Sequence, residues 1–333
     1  MFNELKIKAH TLKNRICMPA MITVKANDGM VNDFHMVHYG IRSDMGVGMI
    51  IIEATSVEEK GRITEEDLGI WKNDHIVGFS MLTDYLKKND TISVLQLAHA
   101  GRKSHSNLKV VAPSAIPFNE ESVVPHELTI DEINDIIESF GEAAKRAKEA
   151  GFDGVEIHAA HGYLINQFLS PLSNKRNDEF GGTFDKRFEF LRRVYLAVRK
   201  EFCKLVFVRV SADEYAEGGL NIKDHVIIAK KLEELGVDLL DISSGGVVPV
   251  NYKVYPGYQI HLSEEIKKNV SIPVSAVGLI TDYSLVKNTL TDGRADIVQL
   301  GRELLRNPGI VLEFAKTEEV DLKLGFPYSK IWQ

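Results

Sequence analysis

The chain has 333 residues, of which 44% are hydrophobic and 26% charged, and its formal net charge is −7. This composition is typical of a globular protein with a large core, and the negative charge argues against a general nucleic-acid or membrane-surface role. The two cysteines, Cys17 and Cys203, are too few for a cysteine-ligated iron–sulfur cluster or a four-cysteine zinc site. Because no segment reads as a signal peptide or a membrane span, we expect a cytoplasmic protein.

Short apolar runs alternate with helical patterns along the whole chain. The runs predict eight strands, at residues 15–21, 49–55, 92–98, 154–159, 205–211, 239–244, 273–277 and 297–301. The helical patterns lie at residues 34–45, 75–89, 130–150, 186–202, 222–235, 263–268, 284–291 and 308–316. Near-continuous apolar strands between helices predict a parallel sheet, and the count of eight favours a (β/α)8 TIM barrel over a doubly wound sheet. No linker or repeat divides the chain, so we expect a single domain over residues 1–333.

Two segments are additional to the eight strand–helix units of a minimal barrel. Residues 1–14 precede the first strand, and we expect them to form an N-terminal hairpin across the bottom of the barrel. Residues 99–127, which contain three prolines, are too long for a simple connection, and they predict a capping loop after the third strand, over the top.

The stretch 154–182 carries the strongest chemical signal. Its apolar run ends in His158, and His161 and Tyr163 follow within five residues. Active sites of such barrels form at the C-terminal ends of the strands. Side chains there could polarise a carbonyl, hold a metal or bind an anion, and the histidines could also simply cap the next helix. A zinc site would need a third ligand such as His99 or His105.

Two further groups of residues predict ligand binding. Gly278, Gly301 and Arg302 follow strands seven and eight, where these barrels usually bind phosphate, although the glycines could merely make tight turns. Gln96 and Arg209 lie inside apolar strands, and buried polar groups of this kind need partners. Either a ligand or a structural network with Glu53 or Glu156 would supply them.

Six motifs make the chain resemble a known family over nearly its full length. They are KNRICMPAM (13–21), GRITEEDLGIW (61–71), QLAHAGRKS (96–104), HAAHGYLINQFLSPLSNKRNDEFGG (158–182), FVRVSA (207–212) and GRELLRNP (301–308). The chain resembles the FMN-dependent Old Yellow Enzyme family of ene-reductases, in its short bacterial NADPH-dehydrogenase-like branch. The resemblance implies a TIM barrel with FMN as cofactor, NADPH or NADH as electron donor, and an α,β-unsaturated carbonyl compound as substrate.

The resemblance also implies roles for particular residues. His158 and His161 would donate hydrogen bonds to the substrate carbonyl oxygen, and Tyr163 would give a proton to the α-carbon. Gln96 would bind the pyrimidine edge of the flavin, and Arg209 would balance negative charge at its N1/O2 edge. The residues implied to surround FMN are Pro19, Ala20, Met21, Ile22, Ala54, Gln96, Arg209, Gly278, Gly301 and Arg302.

The chain departs from the family pattern at three places. Ile22 stands where relatives commonly have Cys or Thr beside the flavin, and Thr23 would substitute only if the backbone slipped by one residue. Val24 replaces a substrate-contacting tyrosine. Lys330 replaces an arginine in a C-terminal tail, residues 323–333, that we expect at the subunit interface of a homodimer or homotetramer.

Two other classes of function stay open on the residues alone. One is a metal-dependent TIM-barrel hydrolase. The other is a barrel that binds FMN or a phosphorylated ligand without catalysis. The longer relatives' iron–sulfur cluster and second nucleotide-binding domain are not expected here.

Overall fold

The computed structural model describes residues 1–322, 324–325 and 327–330. The strands within this part are β1 Leu5–Ile7, β2 His10–Leu12, β3 Ile16–Met18, β4 Met49–Ser56, β5 Ile92–Ala98, β6 Val111–Ala112, β7 His126–Glu127, β8 Gly154–Ala159, β9 Leu205–Ser211, β10 Leu239–Ser243, β11 Val274–Ala276 and β12 Ile297–Gln299. The helices are α1 Asp33–Asp44, α2 Asp74–Lys87, α3 Ile130–Glu149, α4 Leu164–Leu169, α5 Phe184–Glu201, α6 Ile222–Leu235, α7 Ile260–Lys267, α8 Tyr283–Thr291, α9 Arg302–Arg306 and α10 Ile310–Thr317.

Eight of the strands close into a parallel barrel in the order β3-β4-β5-β8-β9-β10-β11-β12, and β12 pairs back to β3. The prediction of a (β/α)8 TIM barrel is therefore confirmed, and the doubly wound alternative is wrong. Each of the eight barrel strands is followed by at least one helix before the chain leaves the barrel or enters the next barrel strand. None of the helices in the described residues is both long and apolar enough to cross a bilayer.

Three barrel strands are shorter than predicted. β3, β11 and β12 contain three residues each, whereas the apolar runs extend to Met21, Val277 and Gly301. Most of the surplus residues at the C-terminal ends of these strands line a cavity at the top of the barrel, namely Pro19, Ala20, Met21, Val277 and Gly301. Pro19, which has no backbone N–H, stands directly after β3 and cannot donate to the ladder. The short helices α4 and α9, which lie in connections after β8 and β12, were not predicted.

The N-terminal segment forms the expected hairpin, because β1 and β2 pair antiparallel with Leu5 opposite Leu12. Ile7 and Leu12 are buried against side chains from the N-terminal halves of the barrel strands, including Leu205 and Ile297. The hairpin therefore closes the bottom of the barrel with apolar contacts and leaves the opposite end for chemistry.

The interior changes from apolar to polar along the strands. Alternate residues of a strand face the same side, so β9 places Leu205, Phe207 and Arg209 in successive layers. Leu205 and Phe207 belong to the apolar lower layer, and Arg209 lies above them as a buried charge. The buried residues of the upper layer are Gln96, Glu156, Arg209, Asp241, Ser275 and Gln299.

The capping segment packs at the top of the barrel, as predicted for residues 99–127. It contains a single 3-10 turn, Gly101–Lys103, and a small parallel pair made by β6 and β7. Arg176, from the loop after α4, holds its far end by donating to the carbonyls of Pro113 (2.9 Å) and Leu128 (2.6 Å). Two residues after the segment, Thr129 caps α3 in a reciprocal capping box with Glu132.

Candidate active site

The end of β8 turns sharply and brings three rings together. His158 is the fifth residue of β8, and the chain then passes through His161 (φ +59°) and Gly162 (φ +72°) in the left-handed region. A Cβ on Gly162 would lie 2.0 Å from the carbonyl oxygen of Gly246, so the turn requires glycine there. The His158 ring is 5.1 Å from that of His161 and 5.0 Å from that of Tyr163, centroid to centroid. The three rings therefore form one cluster at the end of β8.

Serines on the next two strands hold His161. Its backbone N–H donates to Ser211 Oγ (2.8 Å), and its Nε2 shares a hydrogen bond with Ser243 Oγ (2.6 Å). The alternative that the histidines cap the following helix is wrong, because the N-cap of α4 is Tyr163 and no side chain makes the capping bond. His158 Nδ1 is buried and has no hydrogen-bond partner among the described residues. A buried ring nitrogen without a partner is a position where a ligand oxygen can be accommodated.

Burial sets the protonation of the three rings. It lowers the pKa of His158 and of His161 well below the ordinary value, and the positive charge of Arg209 adds to the effect in both. Burial also raises the pKa of Tyr163 to about 12, with a smaller contribution from Asp67. At neutral pH the site therefore presents two neutral imidazoles and a neutral phenol, each able to donate a hydrogen bond.

The polar layer below the rings is a buried network. Gln96 Nε2 donates to Glu156 Oε1 (2.7 Å), Arg209 Nε lies 3.1 Å from Asp241 Oδ2, and Ser275 Oγ donates to Asp241 Oδ1 (3.0 Å). Burial, followed by the negative charge of Asp241, raises the pKa of Glu156 well above its usual value. Glu156 is therefore a structural partner of Gln96, as the structural-network alternative predicted. This contact does not exclude a ligand, because Gln96 keeps its amide oxygen and a second N–H.

Glu53, the other carboxylate considered in that alternative, is not part of the network. It accepts from Thr23 at both the backbone N–H (3.0 Å) and the hydroxyl (2.9 Å), and from the Tyr39 hydroxyl (2.8 Å). The hydroxyl of Thr23 is therefore committed to Glu53. Whether Thr23 replaces the missing polar group at position 22 stays a prediction, although its proton is used by Glu53.

Asp241, the carboxylate that pairs with Arg209, was missed in the sequence analysis. The sequence pattern could have identified it, because Asp241 and Ser243 are two residues apart on β10 and so face the same interior side. An aspartate in an apolar strand, one layer below a strand-end serine, marks a buried polar position.

A cavity of about 230 Å³ opens beside this network, at the ends of β3, β11 and β12. The predicted residues that line it are Pro19, Ala20, Met21, Arg209, Gly278, Gly301 and Arg302. Tyr258, Gln259 and Thr281 also line it and were not predicted. Gly278 has φ +124°, and a Cβ there would lie 3.0 Å from both Cβ and Nε2 of Gln259, so the turn excludes other residues.

The cavity suits a phosphate-bearing ligand. Arg302 is exposed at its edge and forms no ion pair within the described part of the chain, and the glycine backbones give close access to N–H groups. On the interior side, Gln299 Oε1 is buried without a hydrogen-bond partner among the described residues, and Arg209, which pairs with Asp241, lines the cavity. The cavity therefore has an exposed cation, Arg302, at its edge and an unpartnered polar group, Gln299 Oε1, on its interior side. A flavin mononucleotide would suit both, because it has a phosphate at one end and a polar ring system at the other.

Four predicted site residues lie outside the lining of this cavity and also outside the ring cluster and the buried network described above. Ala54 is buried in β4, Ile22 is half-buried, and Val24 is exposed with φ +55°, a strained conformation for a β-branched residue. Lys330 is exposed in a short turn, Tyr328–Lys330. The tail that leads to it runs beside Gly46, just before β4 begins, and so lies near the bottom of its own barrel. Residues 323, 326 and 331–333 of the predicted tail lie outside the described residues.

The ligands proposed for a zinc site are not assembled. His99 Nε2 is bonded to Glu58 Oε1 (2.8 Å), and His99 Nδ1 accepts from the Gly101 N–H (3.0 Å). Within the residues that the structure describes, no cluster of three or more histidine, cysteine, aspartate or glutamate side chains is arranged to hold a metal. The described residues therefore offer no ligand set for the hydrolase alternative.

Comparison with known proteins agrees with this geometry. A sequence model of the NADH:flavin oxidoreductase / NADH oxidase family matches residues 1–320. The chain belongs to this family. It is 48% identical over 337 residues to an NADPH dehydrogenase of Geobacillus thermodenitrificans (strain NG80-2), covering 100% of this chain and 98% of the relative. It is 46% identical over 334 residues to an NADPH dehydrogenase of Bacillus subtilis (strain 168), covering 100% and 99%.

Solved structures point the same way. Morphinone reductase superposes with a TM-score of 0.83 at 26% identity, covering 98% of this chain and 92% of that one. A 2-naphthoyl-CoA reductase superposes with a TM-score of 0.90 at 25% identity, but this chain spans only 52% of its length. The resemblance to the Old Yellow Enzyme family is confirmed. The protein is an FMN-dependent NAD(P)H oxidoreductase.

Proposed function

We propose that the protein reduces the C=C bond of α,β-unsaturated carbonyl compounds with electrons from NADPH or NADH. The observation that carries this proposal is the convergence of two neutral imidazoles and a phenol at the end of one barrel strand. FMN held in the cavity beside these rings would supply the hydride chemistry between the nicotinamide and the substrate double bond. Everything else in the reaction falls to the side chains of this chain.

His158 and His161 bind the carbonyl oxygen of the substrate in this proposal. Neutral imidazoles suit the role because each can donate an N–H while the developing negative charge is balanced by hydrogen bonds rather than by full proton transfer. His158 is uncommitted at Nδ1, whereas His161 must exchange its bond to Ser243 or use its other nitrogen. Polarising the carbonyl withdraws electron density from the β-carbon, which is where the hydride arrives.

Tyr163 supplies the proton in this proposal. Its ring stacks edge-on against His158, so its hydroxyl belongs to the same pocket, and its high pKa keeps the proton on the phenol until it is needed. The hydroxyl would place this proton on the α-carbon as the double bond is reduced. A phenol is a weak acid that can protonate the carbanion-like α-carbon but does not protonate the carbonyl oxygen beforehand.

The residues proposed to hold FMN divide between its two ends. Gly278, Gly301 and Arg302 would bind the phosphate, and Gln96 and Arg209 would bind the polar edge of the ring system. Pro19, Ala20, Met21, Ile22 and Ala54 complete the proposed binding surface. The C-terminal tail that carries Lys330 is proposed to act across a subunit interface of a homodimer or homotetramer, because the chain that leads to it runs beside Gly46 near the bottom of its own barrel.

The test is an anaerobic stopped-flow experiment on the FMN-loaded protein. Flavin absorbance at about 460 nm is followed during addition of NADPH or NADH and then of 2-cyclohexenone. Bleaching followed by recovery supports the proposal, and cyclohexanone, which lacks the C=C bond, is the control that should give no recovery. Bleaching without recovery for a panel of enones refutes it and favours a different electron acceptor. A yellow protein that neither nicotinamide bleaches favours a non-catalytic flavin-binding barrel.

A further inference from the structure

Lys103 is a buried cation beside the three rings, and the reaction described above leaves it without a role. It ends the 3-10 turn after β5, and its Nζ donates to the carbonyl oxygens of His161 (2.9 Å) and Gly246 (3.3 Å). The ammonium also lies 5.1 Å from the ring centroid of Tyr163 and 4.7 Å from that of Phe118. In the part of the chain that the structure describes, no carboxylate lies within ion-pairing distance of it.

The surroundings of Lys103 are costly for a positive charge. Burial lowers its pKa to about 8, and the neighbouring guanidinium of Arg102 adds to this. Two carbonyl oxygens and two aromatic faces stabilise an ammonium only in part, since each contributes less than a carboxylate. A buried cation that lacks a counter-ion therefore acts on the polar groups next to it.

Those neighbours are the proposed carbonyl-binding histidines. The charge of Lys103 contributes to lowering the pKa of both His158 and His161, after burial and Arg209. Its hydrogen bond also fixes the peptide of His161, a residue in the left-handed conformation that is unfavourable for a residue with a Cβ. The same ammonium ties this peptide to Gly246 in the loop after β10.

We propose that Lys103 is a positioning residue of the active site, whose ammonium holds the His161 turn and supplies a fixed positive charge to the pocket of His158, His161 and Tyr163. The proposal rests on the enone-reducing function argued above. Negative charge that develops on a carbonyl oxygen bound by the histidines is stabilised by this nearby, desolvated cation. We expect loss of the charge to slow the substrate step by about 10- to 100-fold.

The pH dependence follows from the groups that face the ammonium. The two histidines are already neutral near pH 7, Tyr163 ionises at about 12, and burial lowers the pKa of Arg102 only to about 10. Phe118 and Gly246 bring no ionisable group. As the pH rises through about 8, Lys103 loses its proton, so the substrate step should slow in that range.

The experiment compares Lys103→Met and Lys103→Arg with wild type in the FMN-loaded protein. Lys109→Met is the control, because Lys109 is an exposed lysine of the same loop segment that pairs with Glu132 at the surface. Enone-driven reoxidation is measured by stopped flow from about pH 6 to 10. We expect Lys103→Met to be slow at all pH values and to lack the decline near pH 8. Lys103→Arg should recover most of the rate and also lack the decline, because its charge persists.

A second readout does not require turnover. The ionisation of His158 and His161 is followed by NMR of 15N-histidine-labelled protein, and loss of the nearby charge in Lys103→Met should raise both pKa values. Unchanged histidine pKa values, or reoxidation of Lys103→Met within about twofold of wild type, overturn the proposal. If wild type itself fails to react with enones, the proposed function falls, and the histidine measurement alone decides whether Lys103 supplies the charge.

Discussion

The buried pair of Glu156 and Asp241 allows a sharp test of the charge state inside the barrel. Both carboxyls are fully buried, and they share one cation, Arg209, which is 5% exposed. Because the pKa of Glu156 is raised by burial and by Asp241, Glu156 should carry a proton at neutral pH while Asp241 balances Arg209. Glu156→Gln then replaces one neutral group with another of the same shape, and its amide oxygen still accepts from Gln96.

The expected energies follow from this assignment. Glu156→Gln should change the free energy of unfolding by less than about 1 kcal/mol near pH 5. A buried acid with a raised pKa binds a proton that the unfolded chain has released, so wild type loses stability as the pH rises above the unfolded value. Relative to wild type, Glu156→Gln should therefore gain about 1.4 kcal/mol per pH unit while the folded acid stays protonated.

Asp241→Asn tests whether Glu156 can take over as the counter-ion. In the single variant, Glu156 can ionise next to Arg209, which limits the loss of stability. In the double variant Arg209 has no carboxylate partner, and the cost should reach about 3 to 5 kcal/mol, as for an uncompensated buried charge. The double cost should exceed the sum of the single costs by at least about 1 kcal/mol.

Urea unfolding of the FMN-saturated variants, followed by circular dichroism at pH 5 and pH 8, measures all of these quantities. Additive single costs would show that Glu156 does not respond to the loss of Asp241. A difference between wild type and Glu156→Gln that does not change with pH would show that Glu156 is ionised in the folded protein, and the reasoning would be wrong.

Three further predictions concern the site and the tail. His161→Asn should slow enone-driven reoxidation by about 10² to 10³. The control Ser243→Ala removes only the partner of His161 Nε2 and should slow reoxidation by less than about tenfold. Equal stopped-flow rates for His161→Asn and wild type would contradict a role of His161 in binding the substrate carbonyl. Ile22→Cys should shift the flavin midpoint potential measured by spectroelectrochemistry. The control Thr23→Val loses the hydroxyl that binds Glu53, so it should leave the potential unchanged and lower the free energy of unfolding by about 1 kcal/mol. An unaltered potential in Ile22→Cys would mean that position 22 does not face the flavin. Deleting residues 328–333 should raise KM or lower the oligomeric mass in light scattering, and no change in either would refute an interface role for the tail.

The central site was predictable because its residues are close in sequence. His158, His161 and Tyr163 leave a buried strand within six residues, and a strand end in a parallel barrel points to the active-site face whatever the rest of the chain does. The glycines after β11 and β12 were predictable for the same reason, since each follows its own strand. The lengths of β3, β11 and β12 were not, because hydrophobicity continues past the last paired residue into the lining of a cavity.

The amino-acid sequence by itself determined the barrel, its eight strands and the residues at the strand ends, because period and local order carry that information. The cofactor class came from the resemblance of its motifs to a known family. Only the tertiary structure decided the partners across strands. Thr23 binds Glu53 at a separation of 30 residues, and Lys103 binds the His161 carbonyl at a separation of 58. Asp241 rather than Glu53 or Glu156 pairs with Arg209. These contacts depend on the register of neighbouring strands and on how loops meet above the barrel, which no local pattern encodes.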